Sequence, residues 1–125
     1  MTLEFIDPRE GRNPDAYSPA VKANGFVFVS GQVGRDTEGN LPLDLEGQVR
    51  QCMENIRVIL EASGSSLDRV VRVGAFLSNV EDFPEFNRVY LEHFQDDRLP
   101  ARTAVEGGRF SSPEMLVEID VTAVE

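Results

Sequence analysis

A single cysteine, Cys52, stands in the 125 residues, which removes intramolecular disulfides and every CxxC metal or redox site from consideration. It falls on the apolar stripe of a predicted helix, where a free thiol serves as a small buried hydrophobe. His93 is the one histidine, and no second histidine or cysteine lies near it to complete a zinc site, so no metal is expected. The same scarcity leaves Ser30, in VSGQVG, without the GxSxG setting or a partner histidine for covalent nucleophile chemistry. Neither GGRF at 107–110 nor VGRDTEG at 33–39 fits a phosphate-binding loop, and both read as turns. Basic residues are also few. Twelve Lys and Arg against 22 Asp and Glu leave a formal charge of -10, which repels phosphate backbones and offers no polybasic patch, so nucleic-acid and membrane partners are not expected. No window approaches the roughly 18 apolar residues of a membrane span, and MTLEFIDPRE lacks the basic-then-apolar pattern of a signal peptide. The expected location is therefore cytoplasmic.

What is present is a chain of one-domain size with clear periodicity. MTLEFID reads as a short first strand, halted by Pro8, and the polar 8–16 segment reads as a loop of the kind that forms sites. FVFVSGQVG at 26–34 is a second strand. From Asp44 to Ala62 the positions Leu45, Val49, Cys52, Met53, Ile56, Ile59 and Leu60 recur at helical spacing, with Asp44 as cap and Gly64 as stop. RVVRVGAFL at 69–77 is a third strand. The spacing of Asp82 and Glu85 around Pro84 predicts a capping box opening a second helix, with Phe83, Phe86, Val89, Tyr90 and Phe94 on its buried stripe. RTAVE and MLVEIDVTAV close the chain as strands. Met115, Val117, Ile119, Val121 and Ala123 share one face of the last, and Glu118, Asp120 and Thr122 the other.

Two helices and one mixed sheet predict a two-layer α+β sandwich over 1–125 with both helices on one face. The second sheet face would then carry Val70, Arg72, Gly74 and Phe76 by parity. That mixture is too apolar for water and predicts an association surface.

Three residues are candidates for chemistry. Arg102 follows Leu99-Pro100-Ala101 at the start of a short strand, where its fork of donors can grip a carboxylate at two points; an ordinary edge-strand arginine is the alternative. Asp120 is either one of a solvent-facing row or a carboxylate orienting a water. Tyr17, in DAYSPAV, has a flat apolar body and a hydroxyl suited to lining a small pocket, or to a structural loop.

Together these segments resemble the Rid family of enamine and imine deaminases. The match runs through Tyr17 in AYSPAV, VFVSGQVG from Val27 to Gly34, Asn55 in MENI, FNRVY from Phe86 to Tyr90, the Pro-Ala-Arg of LPARTAVE at 99–106, and VEIDVTAV at 117–124. It is collinear over nearly the whole chain. The resemblance implies a chorismate-mutase-like sandwich assembled as a homotrimer with clefts between subunits. It implies that Arg102 clamps the carboxylate of a 2-imino acid, that Tyr17 packs against the ligand, and that Ser30, the Gly31 amide and Asn87 line the cleft. The water-orienting glutamate of that family falls on Asp120, one methylene shorter. Ala104 stands where many members have cysteine, and Thr103 where they have serine. The implied activity is hydrolysis of small 2-imino or enamino acids, such as 2-aminoacrylate, to 2-oxo acids and ammonia without a cofactor. The alternative is a non-catalytic trimer that binds small carboxylates or a protein partner.

Overall fold

The computed structural model describes residues 2–9 and 15–125. Six strands form one sheet: β1 (Glu4–Ile6), β2 (Ala20–Ala23), β3 (Phe26–Val33), β4 (Val70–Leu77), β5 (Ala101–Glu106) and β6 (Val117–Val124). Two helices, α1 (Leu45–Ala62) and α2 (Phe83–Leu91), lie on one face. The strand order is β1-β2-β3-β6-β4-β5, antiparallel throughout except for the parallel β4–β5 pair. This is the α+β sandwich with helices on one side that the periodicity predicts. Among the described residues no helix is long and apolar enough to cross a membrane.

Local chemistry sets each boundary. The Asp44 carboxylate accepts from the Gly47 amide at 3.2 Å and opens α1, satisfying one of its free first-turn donors. Its apolar stripe is buried against Val27, Val29, Val73, Ala75, Leu77, Val117, Ile119, Val121 and Ala123 of the sheet. The buried Gln48 is the polar exception, and every part of its amide is used. Its Nε2 donates to the carbonyls of Pro42 and Glu114, and its Oε1 accepts from the Leu116 amide. One side chain thus ties the loop entering α1 to the turn entering β6.

Three expectations are corrected. The strand β2 went unrecognised, although Asn24-Gly25 links it to β3; both residues have positive φ, 52° and 83°, as a tight hairpin turn requires. Val70 is 8% exposed and packs in the core instead of sharing the open face with Arg72, because a register irregularity between Val70 and Arg72 breaks the alternation. Asp82 makes no capping bond. The chain enters α2 through a short 3-10 turn at Val80–Asp82, and Asn79 caps it by accepting from the Glu81 amide at 2.9 Å.

The face away from the helices carries Phe26, Phe28, Glu118, Asp120, Thr122, Arg72, Gly74 and Phe76. Phe26 and Phe28 are 39% and 49% exposed, with ring centroids 6.2 Å apart.

Candidate active site

Arg102 is the second residue of edge strand β5, on the side of the sheet that meets α2. Its Nη1 donates to Asn87 Oδ1 at 2.8 Å, and its guanidinium carbon lies 4.9 Å from the Tyr90 ring centroid and 5.6 Å from that of Phe86. These partners are an amide oxygen and two ring faces, all neutral. No ion pair involves Arg102 among the described residues, although the chain has 22 acidic side chains, so the remaining donors of the fork are open to an anion. Asn87 is placed beside it by helical spacing, one residue from Phe86 and three from Tyr90. Ala104, two residues on, turns the same way and packs against the core.

Tyr17, Ser30 and Gly31 form a second group, on the other side of the sheet's middle. The Ser30 hydroxyl donates to the Ser18 carbonyl at 2.6 Å and its amide donates to Pro19 at 2.9 Å, which fastens the Tyr17 segment to β3. Tyr17 is 56% exposed and lines a cleft of about 300 Å³ with Gly31, Val33, Arg35, Asn55 and Val58. Arg9 bridges Asp7 at 2.8 Å and Asp15 at 2.9 Å, joining the two ends of the 8–16 loop; positions 10–14 of that loop lie outside the described residues. Asn55 has a supporting role. Its amide nitrogen donates to the carbonyls of Val33 and Arg35 and holds the exit from β3.

Asp120 and Glu118 sit side by side on the open face of β6. Each carboxylate is set over a glycine. A Cβ on Gly74 would stand 2.6 Å from Asp120 Oδ1, and one on Gly31 would stand 2.7 Å from Glu118 Oε2. Burial pushes the Glu118 carboxyl above its ordinary value, and the Asp120 charge pushes it the same way. Glu118 was seen in the sequence only as a polar neighbour of Asp120. Its contact with Gly31, already a candidate, is the signal that only coordinates supply.

The predicted residues therefore fall into two clusters. Arg102 and Asn87 are on the helix side of β5, while Asp120, Glu118 and Gly31 are on the open side. Only β4 lies between β5 and β6, so Arg102 stands two strand spacings, about 10 Å, from Asp120 and Glu118, and three, about 14 Å, from Gly31 on β3. One chain does not bring them to a common point. Cys52 lies beneath the Gly31 group on the helix side of β3. Its thiol is buried, donates to the Gln32 carbonyl, and is pushed up by burial, as suits an inert core residue. No group of three or more His, Cys, Asp or Glu able to hold a metal occurs among the described residues.

Residues 11–125 match the family model described as endoribonuclease L-PSP. A RutC family protein of Pyrococcus horikoshii is 41% identical over 109 residues, covering 86% of this chain and 85% of that protein. The mitochondrial protein MMF1 of Saccharomyces cerevisiae is 42% identical over 113 residues, covering 88% of this chain and 75% of that one. Among solved structures, yeast Mmf1 superposes with a TM-score of 0.89 at 34% identity over 99% of both chains. RidA from an Antarctic Psychrobacter gives 0.87 at 32% identity, covering 97% of this chain and 98% of that one.

Proposed function

The chain belongs to the endoribonuclease L-PSP family, which includes the Rid and RutC proteins, and from that premise we propose that it hydrolyses small 2-imino or enamino acids held by their carboxylate against Arg102. Family membership supports a deaminase-type role on reactive intermediates. The observation that carries the finer reading is the state of Arg102: a guanidinium fixed by neutral partners, with donors to spare and no ion pair among the described residues of an acidic chain. Such a group binds a carboxylate through two parallel charge-assisted bonds.

With the carboxylate held, C2 of the imine is fixed in space. A water adds to that carbon, and its proton passes to a carboxylate, the role given to Asp120 with Glu118 beside it. The carboxylate returns that proton to the imine nitrogen to give the carbinolamine, and the carbinolamine's hydroxyl proton then passes to the nitrogen as the C–N bond breaks, so that ammonia leaves and the C=O of the 2-oxo acid forms. The steps need orientation and a proton acceptor, and no cofactor enters the scheme. Because the two clusters stand apart within one chain, the reading includes a homotrimer. The Arg102 and Asn87 of one copy would meet the Tyr17, Ser30 and Gly31 region of the next, across clefts between subunits. RNA cleavage, the activity that the family description names, finds little support in a chain of charge -10.

Arg102→Lys keeps the charge and loses the planar fork, so kcat/KM toward a 2-imino acid should fall about 10- to 100-fold. Turnover equal to wild type would sink the clamp. Saturable binding of a 2-oxo acid without imine turnover would favour a carboxylate-binding module instead.

A further inference from the structure

Arg102 rests on an aromatic floor. Along α2, Phe83 meets Phe86 edge-on with centroids 6.5 Å apart, Phe86 stacks on Tyr90 at 5.4 Å, and Tyr90 meets Phe94 at 4.9 Å. Phe86 and Tyr90 are 0% and 3% exposed, so this floor is part of the packed core and shifts only if the core does. The nearer ring to the guanidinium is Tyr90, at 4.9 Å. A ring face attracts the cation without taking any of its N–H donors, all of which lie in the guanidinium plane. The ring therefore sets the plane, and the bond from Nη1 to Asn87 sets the rotation within it.

We propose that Tyr90 is a positioning residue for Arg102, presenting the free edge of the guanidinium at the angle where a bound carboxylate meets two donors at once. This rests on the reading of Arg102 as a carboxylate anchor and adds a residue that touches no substrate. The positive charge of Arg102 acts in turn on the phenol. Burial raises the Tyr90 pKa, and the nearby guanidinium opposes that rise.

The Tyr90 hydroxyl makes the ring's role separable from the rest of the side chain. It is the one buried side-chain polar atom without a hydrogen-bond partner among the described residues. Tyr90→Phe removes that hydroxyl and keeps the ring, whereas Tyr90→Leu removes the ring and keeps apolar bulk. Replacing a buried orphan hydroxyl by hydrogen should leave the melting temperature unchanged or raised.

The experiment pairs kinetics with a measurement that needs no substrate. Release of 2-oxo acid from a 2-imino acid gives KM and kcat for wild type, Tyr90→Phe and Tyr90→Leu, with thermal melts as the folding control. The Arg102 Nε–H resonance of the free protein reports the ring current beneath the guanidinium. In Tyr90→Phe, KM should stay within about twofold, and in Tyr90→Leu it should rise about tenfold with kcat within about threefold, the pattern of lost uniform binding. The Nε–H signal should move downfield in Tyr90→Leu alone. An unchanged KM in folded Tyr90→Leu, equal KM increases in both variants, or an unmoved resonance would overturn the proposal. If Tyr90→Leu melts below the assay temperature, Tyr90→Met replaces it with the same expectations. Absence of wild-type turnover would count against the deaminase reading, while the resonance would still decide whether Tyr90 sets the plane.

Discussion

Glycine at positions 31 and 74 leaves room for two carboxylates on the open face of the sheet, close enough for the Asp120 charge to act on Glu118. Glu118 has a raised folded-state pKa, from burial first and from Asp120 second. The sign follows from linkage: a carboxyl whose pKa is higher in the folded chain stabilises it fully below the unfolded value, near 4.5, and loses that contribution as pH rises through the folded value. Glu118→Gln, which mimics the protonated acid, should therefore melt above wild type at pH 7, and the two curves should converge below pH 4.5. Parallel melting curves at all pH values would show that Glu118 has no such penalty. Arg102 is marked in the sequence as a candidate by its chemistry and its Pro-Ala-Arg setting. Its aromatic floor is not marked, because Phe86 and Tyr90 have the spacing of ordinary core residues in a helical stripe. Nothing in a one-dimensional pattern tells which core ring lies under a charge contributed from another element. Asp120 was picked out by its place in the last strand, while Glu118 gained weight only through Gly31, 87 positions away in sequence but in contact in space.

Among elements, the junction between β3 and α1 brings backbone against backbone. A Cβ on Gly34 would stand 2.6 Å from the Gln48 Cα and 2.7 Å from its carbonyl oxygen, and helix backbone cannot yield as a side chain can. Gly34→Ala should cost about 2 kcal/mol or more, whereas Gly31→Ala meets only the end of the flexible Glu118 side chain and should cost about 1 kcal/mol or less. Chemical denaturation of the two variants would separate them, and equal losses would contradict the account. Both helices and the long strands were legible because their apolar periods match their burial. The misses share a physical cause. β2 is four residues long, too short to show alternation, and its signal was the Asn24-Gly25 turn beside it. Val70 broke parity at a register irregularity, and Asn79 replaced Asp82 as cap because a 3-10 turn precedes the α-helix. Each is set by local backbone geometry that residue type only weakly specifies.

The whole molecule has one face finished and one unfinished. Helices cover the first, while the second shows Phe26 and Phe28 beside Arg72, Asp120 and Glu118. Apolar surface of this kind calls for a partner, and the division of the candidate site between two clusters points the same way. Phe28→Glu, at a position 49% exposed, should leave the fold intact and reduce the proposed trimer to monomers, as read by sedimentation. A variant with the mass of wild type would place the interface elsewhere. The surplus of apolar residues on the second sheet face was legible in the sequence; the proposed arrangement of copies was not, because parity describes one chain at a time.

Recognition of the substrate's carboxylate by Arg102 is decided by comparing two freshly generated imines that differ only in that group, with wild type and Arg102→Ala run together. Wild type should accelerate hydrolysis of the carboxylated imine and leave the uncarboxylated one at its spontaneous rate, and Arg102→Ala should lose the acceleration. Equal acceleration of both imines, or acceleration retained in Arg102→Ala, would contradict that recognition.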